Sequence, residues 1–446
     1  MIGLPDGWAV CSLADIGHIV TGKTPSTKKA NFYGGSIPFI KPGDLDHSGP
    51  VRTTETFLTD AGAAEVPSLP PQSIVVTCIG NLGKVGLTTT TSATNQQINA
   101  LIPDNGIDPA YVFHYSKTLR PWLEAQSSAT TISIVNKSIF SKAPVPLPPA
   151  AEQTRIAAKL DELLAQVDTL KARIDGIPAL LKRFRQSVLA AAVSGRLTDE
   201  WRSTHGVGSN WDRTALDSVC RAAFDGPFGS KLKSDDYTSE GVRVVRLENI
   251  GHLNFIAEKN TFISLEKFKE LSKNKLSPGD ILFSSFVDEE IRVCQLPESG
   301  EVFINKADCF CLRIDKTAAS PVFVMYALAA RRTYRQIREA VHGATRPRIN
   351  LGFLKSFEIS LPSLEEQTEI VRRVEQLFAF ADQLEARLKA AQARIDRLTQ
   401  SILAKAFRGE LVPQDPNDEP ASVLLERIKA QRAAAPKAKR GRKASA

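Results

Sequence analysis

The stretch VPLPPAAEQTRIAAKLDELLAQVDTLKARIDGIPALLKRFRQSVLAAAVSGRLT, residues 145–198, occurs a second time as ISLPSLEEQTEIVRRVEQLFAFADQLEARLKAAQARIDRLTQSILAKAFRGELV, residues 359–412. The two copies align without a gap at an offset of 214 residues, with 21 identities over 54 positions. An internal repeat of this length sets the architecture before any other feature is weighed. Each copy opens with a Leu-Pro stop and Glu-Gln (Glu152-Gln153, Glu366-Gln367), then turns helical.

In the first copy apolar residues fall at Ile156, Leu160, Leu163, Val167, Leu170, Ile174 and Leu181, continuing through Phe184 and Val188. The second copy repeats the spacing at Ile370, Val374, Leu377, Leu384, Leu388, Ile395 and Leu398, with Ala381 filling the place of Val167. Alternating steps of four and three average 3.5 residues, which keeps an apolar seam on one side of a helix that coils about a partner. A run of about 40 residues rises roughly 60 Å, longer than most small domains are wide. Two matching seams in one chain therefore predict an antiparallel intramolecular coiled coil. Gly195 and Gly409 are expected to cap the helices, and Gly176 and Pro178 to break only the first.

The segments between the helices are paired more faintly. Trp8 and Trp211 begin the two units, SIPFIKPGDL (36–45) resembles GVRVVRLENI (241–250), and Asn136 answers Asn350. Short β-rich runs (SIVVTCI, DILFSSF, CFCLRI) accompany helices opened by Pro109 and Pro321. The predicted class is α+β, with two mixed α/β globules joined by two long helices in a pseudo-two-fold plan. The expected domains are 1–145, a helix over 146–204, 205–358, a helix over 359–412, and a C-terminal segment 413–446 with a basic disordered tail.

Composition narrows the function classes. The chain of 446 residues is 42% hydrophobic and 24% charged, an ordinary globular balance. Its longest apolar run, VFVMYALAA, falls far short of a membrane span, and no signal peptide is visible at the start. The six cysteines lack paired spacing and the six histidines are dispersed, so no metal site is expected and a reduced, cytoplasmic setting is. A net charge of +8 suggests nucleic acid, but residues 1–145 balance at 10 basic against 10 acidic. Much of the excess lies in residues 413–446, with 8 basic against 4 acidic.

Catalytic signals are absent. No N/D/S-P-P-Y/F methyltransferase motif and no D/E-x-K nuclease triplet occur. GHIVTGKTPST (17–27) spells a P-loop, whose glycines, Lys and Thr would cradle phosphates and Mg²⁺. Pro25 biases Thr24 away from the helix such a loop needs, and the second unit has FDGPFGSKL in its place. A nucleotide hydrolase using Lys23 and Thr24 is thus the lesser reading, beside an orphan DNA-binding protein that does not assemble with a methyltransferase.

The helix pattern PLPPxxEQxxI, the closing SVLxxAxxGxL, the start LPDGWxxxxLxDI and TGKTPS together resemble the specificity subunits of Type I restriction-modification systems, over residues 1 to about 412. The resemblance implies a non-catalytic protein that reads double-stranded DNA, each globule a target recognition domain for half of a split sequence. It implies that the helices fix the gap and dock two methyltransferase subunits. S-adenosylmethionine, ATP and Mg²⁺ would belong to those and to the restriction subunits, none to this chain. The family offers no residue code for base contacts. From chemistry alone, polar and basic loop residues are the candidates: Lys23, Thr24, Ser26, Lys28, Lys29, Lys41 and Lys84 in the first unit. In the second they are Lys231, Lys233, Arg243, Arg246, Arg346 and Arg348, with the basic helix face of RRTYRQIR (331–338) for phosphate.

Overall fold

A computed structural model of the chain describes residues 4–47, 49–127, 132–341 and 347–434. The chain forms two compact units: Met1–Ile174 with Ala391–Ala446, and Asp175–Ala390. Each long repeat therefore gives one part to each unit.

The first repeat is broken as its glycine and proline require, into helices Ala150–Asp175 and Ile177–Val193 with Gly176 between them. The second, lacking both, is one helix of 43 residues, Leu364–Ala406. Gly195 and Gly409 follow the helix ends in left-handed backbone, at φ +79° and +74°, where a side chain is disfavoured.

Both units use the same frame. In the first, strand Ala9–Ser12 pairs antiparallel with Pro144–Leu147, so the two ends of the globule close on each other beside the repeat helix. A five-stranded sheet runs Gly17–Thr21, Ile98–Pro103, Ile74–Thr77, Val85–Thr88, Pro50–Val51, and a three-stranded sheet runs Phe57–Leu58, Tyr33–Ile40, Ala93–Thr94. In the second, Asp212–Ala215 pairs with Glu358–Leu361 in the same way. Its main sheet runs Cys220–Phe224, Cys309–Ile314, Ile281–Ser284, Val293–Gln295, and its smaller sheet Tyr237–Thr238, Phe262–Ile263, Val242–Val245, Phe303–Asn305. The parallel pair Tyr33–Ile40 with Ala93–Thr94 reappears as Val242–Val245 with Phe303–Asn305.

The Glu-Gln pair explains why each globule sits on its helix. Gln153 accepts the backbone N–H of Asp108 at 2.9 Å and Gln367 that of Ser320 at 2.7 Å. These are the N-caps of Pro109–Ser116 and Pro321–Ala329, whose first N–H groups the Asp108 and Ser320 side chains accept. Glu152 and Glu366 accept the indole N–H of Trp8 and Trp211 at 3.0 and 3.1 Å.

The apolar seam divides between the cores. Ile156, Leu160 and Val167 bury with Tyr111, Ile402, Leu403, Ala406 and Phe407 in the first unit. Val188, Leu189 and Ala192 bury with Phe323, Leu328, Ile370 and Val374 in the second. There the repeat helices run antiparallel, since Arg185 bonds Asp382 while further along Arg373 bonds the Leu197 carbonyl. Leu181 and Leu388 are also buried, and Leu163, Ile174, Leu377, Leu384 and Ile395 half-buried. Two expected seam residues depart: Leu170 and Leu398 are each 47% exposed. Neither joins the first core, whose nearest members on these helices are Val167, Ile395 and Ile402.

The C-terminal segment is more ordered than its composition suggests. Helix Ala421–Ala434 buries Leu424 and Ile428 in the first core, and Arg432 pairs with Asp104 and donates to the Ala14 carbonyl. The expected disordered tail, PKAKRGRKASA (436–446), lies outside the described residues.

Candidate nucleic-acid interface

The P-loop lookalike resolves into a packing device. Strand Gly17–Thr21 ends before Gly22, and residues 22–26 continue as loop with no helix starting at Lys23-Thr24. A Cβ on Gly22 would lie 2.2 Å from the Asn95 carbonyl oxygen, so only glycine allows the chain to pass there. In the second unit Gly226 does the same, its Cβ position 2.1 Å from the Lys306 carbonyl carbon. The Lys23 ammonium donates to the Glu65 carbonyl at 2.9 Å, and Thr24 donates to Gln96 at 2.6 Å. These groups serve the loop's own structure.

Beside each glycine stands a rim set by matched backbone hydrogen bonds. In the first unit Cys78 N donates to Gln97 O, Gly80 N to Ser133 O and Val135 N to Cys78 O, at 2.8, 2.9 and 2.8 Å. In the second Ser285 N donates to Asp308 O, Val287 N to Pro347 O and Ile349 N to Ser285 O, at 2.9, 3.0 and 3.0 Å. An antiparallel bridge joins Ile79 to Ile134 in the one and Phe286 to Arg348 in the other. The cation at the end of the inner strand is matched as well. Lys41 N donates to Asp44 at 2.7 Å and Arg246 N to Asn249 at 2.8 Å, each capping a short turn.

The sequence-predicted residues fall into three groups on this frame. Lys28, Lys231, Arg331, Arg332 and Arg335 are exposed, and among the described residues their side chains hold no hydrogen bond or ion pair. Lys29 is exposed over the Phe32 ring, 4.8 Å from its centroid, Lys233 is exposed, and Ser26 is exposed in the loop after Thr24. The second group is engaged but reachable. Lys41 donates to Thr56 at 2.7 Å, and Lys84 donates to the Pro42 carbonyl and pairs with Asp46. Arg246 and Lys306 flank Tyr237 at 5.8 and 5.1 Å, while Arg348 pairs with Asp308 and lies 5.7 Å from the Phe286 ring. Arg246, Phe286, Lys306 and Asp308 line one cleft.

Arg243 is a correction. It is 8% exposed, donates to Glu301 at 2.7 Å and to Ala257 O and Asn260, and lies between Phe255 and Phe303. It holds the small sheet together and faces no solvent. Strand Val242–Val245 is buried along its whole length, so alternation gave no sign of this. Arg346 lies outside the described residues.

Two acidic residues near the rim were missed. Asp225 accepts from Gly226 N and Asp308 N at 2.7 and 3.0 Å, and burial pushes its carboxyl up to about 6. Asp308 has left-handed backbone at φ +71°, a strained state for a residue other than glycine and one that often marks functional positions. The only sequence signal was indirect, the glycine-rich FDGPFG that closes on it. Among the described residues no three His, Cys, Asp or Glu side chains gather as metal ligands, and no cysteine is bonded. Among the described residues no helix is long and apolar enough to cross a membrane.

The family model for the Type I restriction modification DNA specificity domain matches the chain twice, over residues 5–179 and 209–391. The chain is 32% identical to the Type I restriction enzyme StySPI specificity subunit of Salmonella potsdam, over 99% of this chain and 98% of that one. It is 32% identical to the EcoKI specificity subunit of Escherichia coli K12, over 99% of each. Among solved structures it shares the fold of a chain from a type I R-M system studied for its assembly and conformational transition, with TM-score 0.72 and 19% identity over 92% of this chain and 100% of that one. It likewise resembles the HsdS subunit of Thermoanaerobacter tengcongensis, with TM-score 0.56 and 20% identity over 92% and 98%.

Proposed function

Since the chain belongs to the Type I restriction-modification DNA specificity family, we propose that it reads a bipartite target in double-stranded DNA without catalysing any step. Each unit reads one half of the target. The observation that carries this is the duplicated frame: two units that share the order of four main-sheet strands and the same Trp–Glu and Gln–N-cap latches, each matched separately by the family model. A protein built twice presents two readers, and the spacing of its half-sites follows from protein geometry.

The repeat helices set the gap and dock two methyltransferase subunits. Each unit leaves apolar helix side chains exposed, Leu170 and Leu398 in the first, Leu180 and Phe380 in the second, which suits partner helices. Methyl transfer with S-adenosylmethionine, and cleavage driven by ATP and Mg²⁺, fall to the methyltransferase and restriction subunits in the cytoplasm.

Co-expression with the methyltransferase subunit, followed by mapping of methylated adenines across the host genome, tests the reading. One split motif with a constant gap is expected. A continuous motif, or methylation without a motif, overturns it.

A further inference from the structure

The rim around Gln97 in the first unit and Asp308 in the second has one backbone and two sets of side chains. The hydrogen bonds that join residue 78 to residues 97 and 135 are those that join residue 285 to residues 308 and 349. On that common frame Gln97 answers Asp308, Ile134 answers Arg348 through the matching bridge, and Lys41 answers Arg246 through the matching cap. Elsewhere the frame keeps its chemistry: Glu152 and Glu366, Gln153 and Gln367, and Trp8 and Trp211 are identical pairs. A surface that must recognise two different half-sites should vary on a fixed scaffold, and this rim does.

The geometry points to two of these paired positions, 97/308 and 134/348, as the base-reading set, choosing opposite kinds of base pair. In the second unit an acceptor and a donor stand side by side, since Arg348 pairs with Asp308 and is itself 46% exposed. A carboxylate accepts from the cytosine amino group and an arginine donates to guanine O6 and N7, so this couple matches a G·C pair. Ser285 Oγ donates to Asp308 at 2.9 Å and holds the acceptor in place. In the first unit Gln97, steadied by Asn95 at 3.0 Å, offers the amide that suits adenine, and Ile134, 39% exposed, the apolar contact that suits the thymine methyl. That couple matches an A·T pair. Lys41 and Arg246 stand at the edge, where a cation meets phosphate or guanine.

This rests on the DNA-reading function proposed above, and the test separates the two. The full chain, complexed with its methyltransferase subunits, selects from duplexes carrying a randomised window, and the bound DNA is sequenced. Wild type enriches two separated blocks; if it enriches none, the DNA-reading function itself fails. Asp308→Asn keeps the side-chain size and tolerates left-handed backbone, and Arg348→Ile installs the residue of the other unit. Each is expected to change the preferred letter at one or two adjacent positions of a single block, with roughly 5–150-fold less discrimination for the original G·C pair. Gln97→Glu is expected to do so in the other block at an A·T pair. An unchanged preference, or a loss spread equally over all sequences, overturns the assignment.

Discussion

Trp211 donates its indole N–H to Glu366 at 3.1 Å, joining the start of a globule to the first turn of a helix 155 residues later. The same carboxylate accepts from Thr198 at 2.7 Å and pairs with Arg202, which is only 8% exposed on its side chain. Glu366→Ala would leave that guanidinium buried without its partner. The expected loss is about 3–5 kcal/mol in denaturant unfolding, the range for breaking one side of a buried pair. A loss under about 1 kcal/mol would show that Asp199, its other partner, suffices.

Glu152 occupies the matching place with a different outcome. Trp8 bonds one of its oxygens, but the other is buried without a hydrogen-bond partner among the described residues. Pro416 stands where the 214-residue offset from Arg202 falls, and the guanidinium near Glu152, that of Arg155, is paired with Asp418 and only partly offsets the burial. Burial raises the Glu152 carboxyl above its ordinary range. A raised acid costs stability as pH climbs from the unfolded value through the folded one. Glu152→Gln is therefore expected to raise the unfolding midpoint at pH 8, with the gain shrinking below the ordinary carboxyl range. A gain independent of pH would contradict this account.

The phosphate-loop spelling yields a test with unequal outcomes for neighbouring residues. Gly22→Ala forces a Cβ to within 2.2 Å of the Asn95 carbonyl oxygen and is expected to destabilise the first unit strongly. Lys23→Ala removes one exposed bond to Glu65 and is expected to change stability by no more than about 0.5 kcal/mol. Equilibrium binding of labelled ATP should be absent in wild type. Saturable binding lost in the Lys23 variant would restore the nucleotide reading.

How much of this the sequence revealed follows from where each signal resides. The helices were legible because an apolar step of 3.5 residues is written in single letters, and the break at Gly176 because Pro178 cannot continue a helix. The exposure of Leu170 and Leu398 was not, since a 3.5-residue step marks one side of a helix and not what packs against it. The rim was hidden because its equivalences are backbone hydrogen bonds, which Gln97 and Asp308 share without sharing a letter. The docked helix Ala421–Ala434 was masked by the basic residues that follow it, although Leu424, Leu425 and Ile428 carried its apolar spacing.

The first core that this helix joins also takes in Phe407, just past the end of helix Leu364–Ala406. Phe407 is 9% exposed and meets Tyr111 and Tyr115 edge to face at 5.6 and 5.1 Å. Phe407→Ala is expected to cost about 3–5 kcal/mol. Because Tyr111 and Tyr115 belong to the first unit, partial proteolysis should cut residues 4–127 sooner and spare 205–358. Equal loss of both would contradict the assignment of Phe407 to the first core.

Arg243 and Arg246 lie three residues apart with opposite predicted roles. Arg243 is buried among Glu301, Ala257, Asn260 and two phenylalanines. Its removal leaves a carbonyl and an amide oxygen unpaired, so Arg243→Ala should cost about 2–3 kcal/mol of stability. Arg246 is 39% exposed with its nearest carboxylate, Glu248, at 3.8 Å, a separation that contributes little to folding. Arg246→Ala should fold within about 0.5 kcal/mol of wild type. If it meets phosphate, the slope of log affinity against log salt falls by roughly 0.9 per contact removed. If it meets guanine, the slope holds and one letter of the target relaxes. Gel-shift titrations at several salt concentrations, read beside unfolding curves, distinguish these outcomes. Stability lost in Arg246→Ala and kept in Arg243→Ala would reverse the two assignments.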